Sequence, residues 1–300
     1  MNFEQLNKNI IKYIGAIFTL VSIYYIFNIL ISDKKIIIDS FFKAQALLPL
    51  LLGIILYLIT QLNAVITWYL QLNKFYKHIA FIKYYEIIGI SQIGKYLPGN
   101  IGHIIGRSLM AIQSSFGLKE ISYSLLFETI LLIYSGLIIS FGFIFIQDLE
   151  IINDNKIYFY VLFISITVFL ITYYYKFSQK LKYNITFITL IKIIIFNCLS
   201  FIILGLILYI FQHILLKGNI SLFLLISTIS IAFIAGFIMP GSPAGIGIRE
   251  YVFIELLAAN TSKTDALILI LGLRIINIVG DIIMYIISLY LKNRGNKSYG

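Results

Sequence analysis

The sequence predicts an all-α polytopic membrane protein: six full transmembrane helices and two oppositely oriented re-entrant Pro-Gly hairpins arranged as an inverted repeat, in a single integral membrane domain over residues 1–300. Three observations predict it. Of the 300 residues, 60% are apolar and only 12% are charged, whereas water-soluble domains sit near half apolar and a quarter charged. The apolar residues fall in runs long enough to cross a hydrocarbon layer about 30 Å thick, which takes roughly 20 residues of helix. Two further runs are broken in the middle by Pro-Gly, at the same distance from an arginine.

This composition excludes a soluble enzyme, a nucleic-acid-binding module and a disulfide scaffold. The single cysteine, Cys198, lies in an apolar run, so neither a disulfide framework nor a Cys-based metal cluster is expected. The formal charge of +10 resides largely in loops, where Lys and Arg orient a membrane protein rather than bind nucleic acid.

In chain order, the uninterrupted spans are 13–31, 47–69, 121–146, 157–175, 189–211 and 266–291. The first exceeds a signal-peptide core and no small-residue cleavage site follows it, so it reads as a retained anchor. Regions 84–115 and 220–258 are apolar but broken. Lys74, Lys77 and Lys83 flank one loop, Lys176, Lys180 and Lys182 another, and Lys292, Arg294 and Lys297 follow the last span. The segment 147–156 carries Asp148, Glu150 and Asp154 against Lys156. Lys and Arg mark the cytoplasmic side, which places both termini in the cytoplasm of a multi-pass cytoplasmic (inner) membrane protein. Lys34, Lys35 and Lys43 then fall outside, a mild violation. Every other assignment holds only when each broken region enters and leaves on one side.

The two broken regions share a plan. Pro98-Gly99 is followed by Arg107 nine residues after its proline, and Pro240-Gly241 by Arg249, again nine residues on. Three crossings separate them, so the first opens to the cytoplasm and the second to the outside. Inverted-repeat transporters use this arrangement, with broken helices meeting near the midplane and lining a cavity. The alternative is that Pro-Gly ends one helix and starts another at a surface loop.

Charge within a span costs about 2.5–3.5 kcal/mol on insertion scales, so such residues face a partner or a wet cavity. Arg274, Asn277 and Asp281 fall at i, i+3 and i+7 on one helical face. Glu128 needs a cation, with Arg274 and Arg107 the candidates. These charges either serve a ligand or hold helices in register; Gln61 and Asn63 read as interhelical hydrogen-bonders. Within 240–250, three glycines and two prolines fall in eight residues and let backbone approach a ligand closely. The half-helix after them offers its N-terminal N–H groups, with Arg249 beside them, to a lipid phosphate. Glu250 is an equal claimant for those N–H groups, or pairs with Arg249. Gly245, Gly247, Arg249 and Glu250 with Pro240 and Gly241, and Pro98, Gly99, Gly102 and Arg107 in the first region, are the candidate lipid- and phosphate-binding residues. His103 reads as an interface histidine. No His-Glu-x-x-His and no G-x-x-x-x-G-K-[ST] stretch is present, and no catalytic residue, metal or cofactor is expected.

The run from Pro240-Gly241 to Gly247-Ile248-Arg249-Glu250, followed by Arg274, resembles the transmembrane region of lysylphosphatidylglycerol synthases and their stand-alone flippase-like relatives. Pro98-Gly99-Asn100-Ile101-Gly102 to Arg107, with Glu128 after it, is similar to that family's upstream motif. The family often has Gly-Glu where this chain has Gly102-His103, and Glu-Arg where it has Glu128-Thr129. Full synthases carry a cytosolic aminoacyltransferase domain after the membrane part. This sequence reads on for nine residues past 291, so transferase activity is not carried over. The resemblance implies a lipid translocase moving an anionic or phosphate-bearing envelope lipid, such as a phospholipid or a polyprenyl-phosphate glycolipid. The alternative is a non-transporting membrane partner of a separate glycosyltransferase or aminoacyl-lipid synthase. Without ATP machinery, transport runs downhill or is coupled to an ion gradient, with Glu128 and Asp281 the candidate protonation sites.

Overall fold

A computed structural model describes residues 20–21, 23–97, 102–146, 165, 185–239 and 243–297. Spans 157–175 and the first part of 13–31, and the residues Pro98, Gly99, Pro240 and Gly241, lie outside them. Among the described residues the chain is all-helical. We number the helices α1 (Ile23–Ser32), α2 (Lys34–Phe42), α3 (Leu47–Leu72), α4 (Phe81–Gln92), α5 (Gly102–Gln113), α6 (Leu118–Ile146), α7 (Phe187–Phe211), α8 (Leu222–Ile238), α9 (Ile248–Leu257) and α10 (Lys263–Lys297). Four helical stretches are long and apolar enough to cross a membrane: Ala44–Leu72, Leu118–Gly142, Phe187–Leu216 and Lys263–Arg294. They coincide with four of the six spans read from the sequence, and the protein is an α-helical membrane protein.

The outward faces fit that environment. On α3, Leu48, Leu51, Leu52, Ile55, Ile59 and Leu62 are exposed, and on α10 Ile275, Ile278, Ile282 and Ile286 are. Their three- and four-residue spacing makes one apolar stripe per helix, while a separate stripe of α10 carries Arg274, Asn277 and Asp281. Thr186 and Ser221 cap α7 and α8, accepting hydrogen bonds from the N–H groups of Thr189 and Leu224.

Helices α3 and α10 lie side by side in the same direction, with Gly53 against Ile276 and Gly280 against Tyr57. α7 runs opposite to α3, bringing Gly53 to Ile207 and Asn63 to Ser200. The shorter helices form two packed pairs, α4 with α5 and α8 with α9. The outer end of the first pair is closed by aromatic rings: Trp68 meets Tyr84 edge-on at 5.5 Å and stacks on Phe116 at 5.8 Å. The second pair opens at the other end of the bundle. There Tyr25 and Lys263 both bond the Glu255 carboxylate, and Thr264 donates to Asp33.

The inner ends of the two pairs meet, a 3₁₀ turn at Ile93–Tyr96 lying against another at Pro243–Gly245. Each pair closes through glycines. A Cβ on Gly94 would lie 2.6 Å from the Gly102 carbonyl carbon, and one on Gly245 would lie 3.1 Å from the Gly236 backbone. Gly245 also has φ +71° and Gly247 φ +88°, which L-residues with a Cβ rarely adopt.

Packing at these glycines generates a prediction. Gly94→Ala is expected to destabilise the protein by about 1–3 kcal/mol through overpacking, read as a lowered Tm in detergent. Gly142→Ala, where an added Cβ meets no atom within 4 Å, is expected to leave Tm unchanged or slightly raised.

Candidate functional site

The buried apolar residues form two clusters, and polar residues lie between them on several helices. On α3, Tyr57 belongs to one cluster and Val65 to the other, with Thr60, Gln61 and Asn63 between. On α7, Asn197 falls between Ile193 and Phe201; on α10, Asn277 and Asp281 fall between Ile276 and Met284. The layer crosses each of these long helices near its middle. There the inner ends of both helix pairs enter and enclose a cavity of about 220 Å³.

Asp281 is fully buried and its carboxylate is surrounded by donors. Lys95 Nζ lies 2.6 Å from Oδ2 and Tyr96 donates to the same oxygen at 2.5 Å. Tyr57 and Gln61 donate to Oδ1 at 2.9 and 2.7 Å. Gln92 in turn donates to the Gln61 carbonyl at 3.1 Å. The ammonium of Lys95 also rests over the ring of Tyr96, 5.4 Å from its centre. Lys95 and Tyr96 belong to the 3₁₀ turn of the first pair, so this cluster ties that turn to α10.

Two turns earlier, α10 ties down the second pair. Arg274 Nε donates to Glu250 Oε1, and its Nη1 donates to the Ala244 carbonyl at 3.0 Å. Glu250 Oε2 accepts the Gly247 N–H at 2.8 Å. The α9 N-terminus is thus capped by its own third residue, as a first-turn acid caps a helix. A third ion pair joins α5 to α6, with Arg107 Nη1 2.7 Å from Glu128 Oε2. Its guanidinium lies 5.5 Å from the Trp68 ring centre.

Arg249 differs from these. It is only 9% exposed, packs its guanidinium 4.4 Å from the Phe233 ring centre, and among the described residues has no carboxylate partner. Four cations line the cavity, Lys95, Arg107, Arg249 and Arg274. Asp281, Glu128 and Glu250 balance three of them. One cation is left in excess, in a place where an isolated charge is expensive.

The residues singled out in the sequence therefore converge in part. Arg107, Glu128, Gly245, Arg249, Arg274 and Asn277 line one cavity. Glu250 and Asp281 stand behind it as counter-ions. Gly102 opens α5 and packs on Gly94, and Gly247 spends its N–H on Glu250. Glu128 pairs with Arg107 rather than Arg274, and Glu250 pairs with Arg274 rather than Arg249. Gln61 and Asn63 do bond across helices. His103 lines the cavity with its Nδ1 unpartnered. Sequence reasoning missed Lys95, Tyr57, Tyr96 and Gln92. A signal existed for Lys95: it stands inside an apolar region three residues before Pro98, the same anomaly that flagged Glu128.

In comparisons with family models and with curated proteins, the chain matches none.

The Asp281 cluster yields a prediction about charge balance. Asp281→Asn leaves the half-buried Lys95 without a counter-ion and is expected to cost up to about 3 kcal/mol of unfolding free energy. Lys95→Met in the same chain is expected to restore most of it, measured by thermal or denaturant unfolding of the single and double variants.

Proposed function

We propose that this protein is a flippase-like lipid translocase of the cytoplasmic membrane, moving an anionic or phosphate-bearing envelope lipid between leaflets. In this reading six helices cross the membrane, both termini are cytoplasmic, and the pairs α4/α5 and α8/α9 are re-entrant hairpins entering from opposite sides. Length supports it: α4 and α5 have 12 residues each and α9 has 10. At 1.5 Å per residue none of them spans about 30 Å of hydrocarbon. The inner ends lie in the polar layer, where non-helical backbone is tolerated because it faces protein and a cavity.

The observation that carries the proposal is Arg249: a buried, unbalanced cation on a cavity walled by both helix pairs. A lipid phosphate supplies the missing charge, and charge-assisted hydrogen bonds to a guanidinium are the strong ones. Because each pair opens toward a different end of the bundle, small rearrangements of either pair change which side reaches that phosphate. The three ion pairs hold the walls in register while this happens. Glu128, with its side chain 20% exposed against the cavity, is the acid best placed to exchange a proton with it.

Purified protein in liposomes carrying headgroup-labelled phospholipid or polyprenyl-phosphate sugar tests the reading. Wild type is expected to abolish sidedness of the label. Arg249→Ala is expected to slow that movement at least about tenfold, the loss of one charge-assisted hydrogen bond. Sidedness preserved by wild type across these lipids would overturn translocation and direct attention to a partner transferase.

A further inference from the structure

Among the described residues, six buried side-chain nitrogen or oxygen atoms on residues lining the central cavity have no hydrogen-bond partner within the chain. They are Arg107 Nε, Arg249 Nε, Arg274 Nη2, Asn197 Nδ2, His103 Nδ1 and Asn277 Oδ1. Buried polar atoms in folded proteins are nearly always partnered, so this concentration in one place marks a binding surface. Arg107 and Asn197 are 4% and 7% exposed, and with Arg249 they are more than nine-tenths buried.

The chemistry of the six atoms specifies what they bind. Four are donors only: three guanidinium N–H groups and one amide NH₂. They require acceptor oxygens, and the excess cation makes those oxygens anionic. Asn277 Oδ1 is an acceptor, and His103 Nδ1 accepts in one neutral tautomer; they need a donor, and beside four cations a hydroxyl supplies one without adding positive charge. Arg274 and Asn277 are three residues apart on α10, and His103 and Arg107 four apart on α5. Each wall therefore presents a cationic donor next to a group that takes a hydroxyl.

We infer that the cavity binds a phosphate ester whose headgroup carries free hydroxyls, and rejects headgroups bearing an ammonium. This rests on the lipid-binding reading above and names its substrate class. The phosphate oxygens lie against Arg249 and Arg274, with Arg107 and Asn197 facing them across the cavity. The hydroxyls bond Asn277 and His103. An ammonium headgroup would sit among four cations, and a quaternary one has no hydrogen to give Asn277.

The test is competitive retention, with wild-type protein purified from equimolar mixtures of synthetic lipids and the retained lipids counted by native mass spectrometry. Phosphatidylglycerol is expected to be retained about tenfold over phosphatidylcholine and phosphatidylethanolamine, since like charges in an interface cost several-fold to many-fold in binding. It is expected to exceed phosphatidylmethanol, which has the same charge but no hydroxyl, by about threefold to tenfold. Asn277→Leu is expected to erase the gap between those two anionic lipids while leaving both above phosphatidylcholine. Arg249→Gln is expected to lower both, and Arg249→Lys to recover part of the loss. Equal retention of phosphatidylcholine and phosphatidylglycerol, or a preference for phosphatidylglycerol over phosphatidylmethanol that Asn277→Leu does not touch, would overturn the inference. Displacement of bound lipid by millimolar glycerol 3-phosphate would assign the affinity to the free headgroup; retention in its presence would assign it to the lipid. Selective retention without movement in sealed vesicles would leave this assignment standing and overturn translocation. Movement of phosphatidylcholine as fast as phosphatidylglycerol would do the reverse.

Discussion

Everything in the interior depends on neutralising charge where water is scarce. The middle of α10 carries an arginine and an aspartate seven residues apart, Arg274 and Asp281, and each finds its counter-ion on the inner end of a different helix pair. One helix face therefore ties the inner ends of both pairs to the same stretch of α10. Without those ion pairs, the buried Glu250 and the half-buried Lys95 would be charges with no partner, which apolar surroundings penalise. The glycine contacts Gly94–Gly102 and Gly236–Gly245 let the chain fold back tightly enough for the ions to meet.

The same constraint explains why the core is split. Two apolar clusters flank a polar layer in which the tyrosine hydroxyls of 57 and 96 and the amide of Gln61 share one carboxylate. Each of these hydrogen bonds is modest alone, but a satisfied buried network specifies one arrangement of its members. Arg249 is placed in that setting without a carboxylate of its own. A structure that balances three of four cations internally leaves a position that favours an incoming anion. The orphaned donors around it extend that preference from charge to hydrogen bonding.

Much of this was legible in the sequence, and the remainder has a physical reason for being hidden. The four long helices follow from apolar run length alone. The i, i+3, i+7 spacing of Arg274, Asn277 and Asp281 put them on one face, and all three face inward. Their partners were not legible, because pairing depends on which helices approach in space. Glu128 had two candidate cations on equal footing until α5 and α6 were seen to pack. The α9 N-terminus, offered to a phosphate, is taken by Glu250, the alternative that local sequence already held. Lys95 escaped notice because lysines near span ends usually reach water along their own stems. Burial beside Asp281 requires the 3₁₀ turn that carries it inward.

We propose that the cavity enclosed by the two helix pairs is reached from both faces of the membrane and that an anion settles there. Cysteine accessibility measures that access. Thr129 lines the cavity on α6, and Cys198 is the chain's single cysteine, so Thr129→Cys in a Cys198→Ser background gives one reporter. In sealed proteoliposomes of defined orientation, a membrane-impermeant thiol reagent is predicted to label it from either side, with labelling slowed by phosphatidylglycerol and not by phosphatidylcholine. Labelling from neither side, or from one side only under all lipid conditions, would contradict a cavity shared between the two faces.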